Sequence, residues 1–282
     1  MANVADDPSQ SAFRALPMID MNTPSAARVY DYLLGGAHNF EVDRVFGDRV
    51  RGTSPNAIEL ARLNRSFLQR AVRFLLDAGV RQFLDLGSGI PTVGNTHQVA
   101  ESAGITDAHT VYVDRESVAY HNAQQMLADN PNAAIIQADM RDVARVLNHP
   151  DTKRLLDFSR PMAVLTLAVL PYFSDADDPA GMLRAYRRHL VPGSYQVVTV
   201  FGRENAPAEL YAETVTAEQM YRRMGEPVYF RTKAEVTAWF AGTELVPPGL
   251  VELPDWRPED DSEMTNPART LGYGAVGRVT AA

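Results

Sequence analysis

Five short runs rich in Val, Ile and Leu recur between residues 82 and 201: QFLDL, TVYVD, AAIIQAD, AVLTLAVL and YQVVTVF. None alternates cleanly, so each reads as a strand covered on both faces of its sheet. Between them lie segments with helical spacing, near 95–103, 116–128, 141–157 and 179–190. Strands alternating with helices require right-handed crossovers, which constrains the chain to an α/β fold with a doubly wound, mostly parallel sheet. The last third breaks the alternation. Helices near 207–224 and 232–241 precede ELVPPGLVELP and GYGAVGRVTA, which are separated only by the loop PDWRPEDDSEMTN. Two late strands joined by a loop form an antiparallel C-terminal edge pair, for seven strands in all.

Upstream of the sheet, TPSAARVYDYLLGG has Pro24 in its first turn and Ala26, Val29, Tyr30 and Leu33 at helical spacing. Gly35 and Gly36 stop it, since glycine tolerates positive φ. A second helix is expected over about 56–78, with Ile58, Leu60, Leu63, Phe67, Ala71, Phe74 and Leu75 on one side and Gly79 at its end. Residues 1–20 mix Asp, Ser, Pro and Ala without period and read as a flexible tail. The reading is one domain over 21–282, with 21–80 a helical extension and 81–282 the sheet core. At 282 residues and 45% hydrophobic, the chain can bury a core without staples.

Several function classes drop out on composition. The chain has no cysteine, which removes disulfides, thiolate metal sites and cysteine nucleophiles. Six scattered histidines show no metal-ligand spacing, so no metal is expected. No G-x-S-x-G elbow is present. The longest apolar run, PMAVLTLAVLPYF, is short of the ~20 residues that span a bilayer, and the N-terminus lacks the pattern of a secretory signal. A soluble, cytoplasmic protein is the expectation. The formal charge of −8 argues against a nucleic-acid substrate, because it repels a phosphate backbone.

The stretch RQFLDLGSGIPT ends its first strand in Asp85 and continues through Gly87, Ser88 and Gly89. Ligands of doubly wound sheets bind beyond the C-terminal strand ends, and glycines there let a ligand approach the backbone closely. The dinucleotide fingerprint needs a third glycine where Thr92 stands, which weakens a nicotinamide reading. Asp85 suits a ligand carrying an ammonium group. Two further acids end the next two strands: Asp114 lies 25 residues after Gly89, and Asp139 another 25 on. Asp114 is placed to take ribose hydroxyls, and Asp139 an adenine amino group with Met140 against the ring. The alternative for each is a helix cap. Three acids at successive strand ends favour a shared ligand.

These residues resemble a class I S-adenosylmethionine-dependent methyltransferase and, more narrowly, the actinobacterial S-adenosyl methyltransferase family first catalogued as a domain of unknown function. The resemblance runs from about Asn22 to the C-terminus. It rests on NTPSAARVYDYLLGGAHNFEVDR, FLDLGSGIPTVGNTHQVA, VYVDRESVAYHNAQQML, the Asp-Asp-Pro followed by PGSYQVVT, and PPGLVELPDWRP. It implies a Rossmann-like fold, S-adenosyl-L-methionine as cofactor, and methyl transfer to a small-molecule acceptor. It also implies a lid function for the N-terminal segment, with Arg28, Tyr30, Gly35, Gly36 and Asn39 near the methionine end of the cofactor. Ser88 and Arg115 join the implied cofactor set. Where such proteins carry a Leu-His pair after the fourth strand, this chain has Leu170 and Pro171, so no role for that histidine transfers. The same stretch echoes the Asp/Asn-Pro-Pro-Tyr motif of amino methyltransferases. Its first position is Val169, which cannot accept a hydrogen bond, and this argues against adenine or glutamine as acceptor.

Transfer from a sulfonium needs a base only when the nucleophile must lose a proton. Candidates are His38, His97 and Tyr172, against plain alternatives of backbone-bonded histidines and a pocket-lining tyrosine. Two rival readings stay open: a protein that binds the cofactor or its demethylated product without catalysis, and an NAD-dependent dehydrogenase.

Overall fold

The computed structural model describes residues 20–91 and 94–281. Most of the N-terminal tail and Thr92 lie outside them. Three helices come first: α1 (Ala26–Leu33), α2 (Glu41–Thr53) and α3 (Ala57–Asp77). The parallel strands follow as β1 (Gln82–Leu86), β2 (His109–Asp114), β3 (Ala133–Gln137), β4 (Ala163–Thr166) and β5 (Tyr195–Phe201). Between them run α4 (Thr96–Ser102), α5 (Ser117–Met126), α6 (Val143–Asn148), α7 (Pro150–Leu155) and α8 (Pro179–Arg187). The chain then forms α9 (Ala208–Arg223), α10 (Lys233–Trp239), β6 (Thr243–Leu245), β7 (Val251–Glu252) and β8 (Gly272–Val279).

The sheet order is β3-β2-β1-β4-β5-β8-β6, with β7 also on β8. Strands β1 to β5 pair in parallel, and β8 runs antiparallel to β5, β6 and β7. Order reverses between β1 and β4, which places a crevice at their C-terminal ends. The α/β class and the antiparallel end of the sheet agree with the sequence reading. The strand count does not: the run ELVPPGLVELP is two strands, so the sheet has eight rather than seven. The prolines at 247 and 248 lack N–H groups and split the run, and β6 and β7 then pair with different parts of β8.

Both sheet faces are covered, as the apolar strands require. Phe83, Ala163, Leu165, Tyr195 and Val197 face Leu63, Phe67, Ala71 and Leu75 of α3, with Val99 of α4 and Trp256. Their neighbours Leu84, Leu86, Val164, Val198 and Val200 face Val146, Leu155, Leu183, Tyr186 and Trp239 on the other side. Phe67 is fully buried, and truncation to alanine would cost about 3–5 kcal/mol.

Two local expectations are corrected, and one helix is new. The helix expected over 141–157 is α6 and α7, broken at His149, whose extended backbone (φ −60°, ψ 140°) follows from the restriction that Pro150 places on its predecessor. The run AVLTLAVL is strand only to Thr166; Ala168 has φ +54° and donates its N–H to Thr199 Oγ1 at 2.8 Å. Helix α2 was not anticipated at all. Its sequence EVDRVFGDRVRGT is charged, and it buries only Asp43, Phe46, Gly47 and Val50. None of the helices among the described residues is long and apolar enough to cross a membrane.

Candidate active site

Beyond the C-terminal ends of β1, β2 and β3 opens a cleft of about 510 Å3, and Asp85, Asp114 and Asp139 all line it. Each is held differently. Asp85 is buried and accepts one hydrogen bond, from Thr96 Oγ1 at 2.9 Å. Burial pushes its pKa up to about 6, against the pull of Thr96 and of the Arg65 guanidinium; nearby Asp114 adds to the rise. Asp114 accepts from the Gly89 amide at 2.7 Å and the Glu116 amide at 2.9 Å. Burial still holds its carboxyl above the usual range. Asp139, half-exposed, is chelated by Arg141 at 2.6 Å and sits below that range because of this bond.

The glycine loop binds to both strands. Gly87 and Ser88 donate their amides to the Val113 carbonyl, while Gly87 and Gly89 have φ of +69° and +67°. A Cβ on Gly87 would fall 2.3 Å from Val169 Cγ2, so only glycine fits there. A Cβ on Gly89 would meet nothing within 4 Å, because that position faces open cleft. Ser88 Oγ is buried without a hydrogen-bond partner. Arg65, on α3, lines the cleft and forms no ion pair among the described residues; its closest polar contact is Asn95 Oδ1 at 3.3 Å. A buried carboxylate, an unpaired guanidinium, an orphaned hydroxyl and Gly89 facing open space fit an amino-acid nucleoside.

The N-terminal residues divide. Arg28 and Tyr30 line the cleft, but both are also structural. Arg28, 2% exposed, donates Nε to Asp43 at 2.7 Å, Nη1 to Glu116 at 2.7 Å and Nη2 to the Thr23 carbonyl at 2.6 Å. It joins α1, α2 and the start of α5. Tyr30 donates its hydroxyl to the Ala61 carbonyl at 3.1 Å and accepts from Asn64 Nδ2 at 3.2 Å. Gly35, Gly36 and Asn39 are not part of the cleft wall. They form a turn around Asp31, which accepts from His38 N and Asn39 Nδ2, both at 2.9 Å. The turn packs so closely that a Cβ on Gly36 would overlap the Asp31 carboxylate. Arg115, Ser88 and Met140 do line the cleft, with Arg115 on its exposed rim.

Of the three base candidates, His38 is exposed and outside the cleft. His97 lines it, but Nδ1 is 2.7 Å from the Tyr112 hydroxyl, which also accepts the His97 amide at 3.0 Å. Burial lowers the His97 pKa, which favours the neutral ring, and the Tyr112 hydroxyl shares a hydrogen bond with Nδ1. Tyr172 lines the cleft with no hydrogen-bond partner on its hydroxyl among the described residues, and burial holds that hydroxyl protonated.

The model of the S-adenosyl methyltransferase family matches residues 13–280. The chain belongs to that family. A crystal structure of a protein from Thermobifida fusca YX, provisionally assigned as a methyltransferase, is 41% identical, with 94% of this chain and 98% of that one covered and a TM-score of 0.86. A DUF574 family protein from Streptomyces avermitilis MA-4680 is 34% identical over 93% of this chain and 100% of that one, with a TM-score of 0.87. No curated protein matches. Family membership carries S-adenosylmethionine as cofactor and sets the nicotinamide alternative aside. No group of three or more potential metal ligands occurs among the described residues.

Sequence reasoning missed Arg65, Asn64, Glu116 and Glu226. A signal for Asn64 was present: it lies four residues after Leu60 and three before Phe67, a polar side chain within the apolar stripe of α3. Glu116 reads as an ordinary cap, and it does cap α5 through the Ala119 amide at 2.7 Å. Only the fold reveals that its other oxygen meets Arg28.

Proposed function

We propose that the cleft holds S-adenosylmethionine with its amino-acid end between Asp85 and Arg65, its ribose at Asp114 and its adenine against Met140 and Asp139. The protein then transfers the sulfonium methyl to a small-molecule acceptor in the cytoplasm. The observation that carries this reading is the pairing of a buried carboxylate with an unpaired guanidinium at one end of the cleft, matching the ammonium and carboxylate of an amino acid. Ser88 Oγ, lacking a partner, supplies a further hydrogen bond to the ligand. Arg28 and Tyr30 act by fixing the helices that cover this end.

The bound cofactor supplies an activated methyl group. The chain's part is orientation and exclusion of water: alignment of a nucleophile with the methyl carbon can lower such a barrier by up to ~7–11 kcal/mol. His97 is held against Tyr112 through its amide and Nδ1, which leaves Nε2 as its one ring nitrogen for any contact with a ligand.

Calorimetric titration with S-adenosylmethionine, S-adenosylhomocysteine and NAD tests the reading. Both sulfur compounds should bind and NAD should not. Binding of NAD alone would overturn it.

A further inference from the structure

We infer that the methyl acceptor is a small neutral or cationic molecule whose apolar end enters a side pocket beneath the N-terminal helices and whose hydroxyl or amine meets Glu226 and Tyr172. The inference rests on the cofactor placement proposed above and goes beyond it by assigning the acceptor's chemistry.

The side pocket, about 70 Å3, opens from the main cleft, and Tyr30, Asn64, Ala168, Tyr172 and Phe201 line both. Its deeper wall comes from α1, α2 and α9 and from the chain after α9, through Leu33, Val50, Ala217, Tyr221, Val228 and Phe230. No Lys, Arg, Asp or Glu lines it. An anionic tail would be desolvated there without a counter-charge, whereas an apolar one loses nothing. The pocket is about half the ~150 Å3 that accepts benzene, so it suits a branched alkyl group or the edge of a ring.

The polar groups where the pocket meets the cleft are mostly spent. Tyr30 and Asn64 bond each other, Asn64 Oδ1 accepts from Thr199 Oγ1 at 2.6 Å, and Thr199 accepts from the Ala168 amide. Besides the Tyr221 hydroxyl deeper in the pocket, two groups near the cleft remain free among the described residues. The Tyr172 hydroxyl has no partner, and the half-buried Glu226 carboxylate on the cleft wall makes no hydrogen bond or ion pair among the described residues. Glu226 is positioned by the end of α9, its amide donating to the Tyr221 carbonyl at 3.1 Å, and Tyr221 packs edge-on against Phe46 of α2 at 4.9 Å. Burial raises the Glu226 pKa, which makes the carboxylate a better proton acceptor. In the transfer step a bond forms between the acceptor's oxygen or nitrogen and the methyl carbon. The carbon–sulfur bond gives its electron pair to sulfur, and the acceptor's proton passes to Glu226.

A matched trio of probes tests this: phenethylamine, phenethyl alcohol and phenylacetate, titrated by ligand-observed NMR into protein saturated with S-adenosylhomocysteine. The amine and alcohol should bind, with phenylacetate at least about tenfold weaker. Ala217→Leu, which fills the side pocket from α9 without touching the cofactor cleft, should weaken amine and alcohol by about tenfold and leave S-adenosylhomocysteine affinity unchanged. Glu226→Gln should reduce the amine's affinity more than the alcohol's. Phenylacetate binding as well as the amine, no probe binding to loaded wild-type protein, or probe affinities indifferent to both substitutions would each overturn the inference. Wild-type protein that does not bind S-adenosylhomocysteine would instead sink the cofactor placement beneath it.

Discussion

Asp114 and Arg28 line the same cleft, yet they are held by different means. Asp114 stands at the end of a central strand, and its two oxygens accept amides from the loop on the neighbouring strand and from its own turn. Arg28 stands on a helix that meets the sheet region through side chains, and its donors go to Asp43, Glu116 and the Thr23 carbonyl. The strand-end wall is therefore part of the backbone lattice. The helical cover is fastened by side chains, with the buried Arg28 ion cluster beside the Tyr30–Ala61 bond and the apolar contacts of Val29, Leu33, Phe46 and Val50. Wall and cover should separate in stability and in effect on binding.

The largest effect expected is from Arg28→Met. It leaves the buried Asp43 carboxylate with the Ser25 and Phe40 amides but without its counter-charge and frees Glu116, and breaking such a cluster costs about 3–5 kcal/mol. Native-state hydrogen exchange should show that loss in α1 and α2 while β1, β4 and β5 keep their protection. Equal loss across the sheet would mean that cover and core open as one unit.

Asp114→Ala addresses the other wall. It should weaken S-adenosylhomocysteine binding by about 1.5–3 kcal/mol, roughly 10- to 150-fold, with the fold retained. Because burial already disfavours the ionised carboxylate, removing it relieves part of its own cost. Unchanged affinity would remove Asp114 from the ligand's surroundings.

These two residues also mark what could be read in advance. The strand-end acids and the glycine loop are local: period, spacing and turn chemistry place them wherever a parallel sheet forms. Asp85, Gly87, Gly89, Asp114 and Asp139 accordingly share one cleft, although Asp139 is tied to Arg141 in a way that no spacing announces. The cover depends on contacts between distant segments. Helix α2 carries Val42, Val45, Phe46 and Val50 at helical spacing, but they are sparse among charged residues, and Gly47 is glycine because the Tyr32 ring lies where its Cβ would be. Gly35, Gly36 and Asn39 matched a motif but serve a turn around Asp31. Arg65 is one of several arginines on α3, and only the fold turns it toward Asp85.

Arg65→Met should produce a smaller, selective change. Affinity for S-adenosylhomocysteine should fall about tenfold, while adenosine, which lacks the amino-acid group, should bind as before. Equal losses for both ligands would place Arg65 elsewhere along the cofactor.

A last effect is with pH. Asp85 has its folded pKa raised to about 6 from 3.8, so the protonated form is favoured in the free protein. Stability of the free protein should therefore fall as pH rises from about 4 to 6. A ligand ammonium favours the ionised carboxylate, so cofactor affinity should rise over the upper part of that window, with proton release on binding. Calorimetry in buffers of different ionisation enthalpy reads that proton directly, and Asp85→Asn should abolish it.

A crystal structure with S-adenosylhomocysteine bound tests the arrangement most directly. The ligand's ammonium should lie at Asp85, its carboxylate at Arg65, its ribose hydroxyls at Asp114 and its adenine beside Met140, with the sulfur facing Tyr172. A ligand seated away from the ends of β1 and β2, or reversed so that adenine meets Asp85, would contradict it.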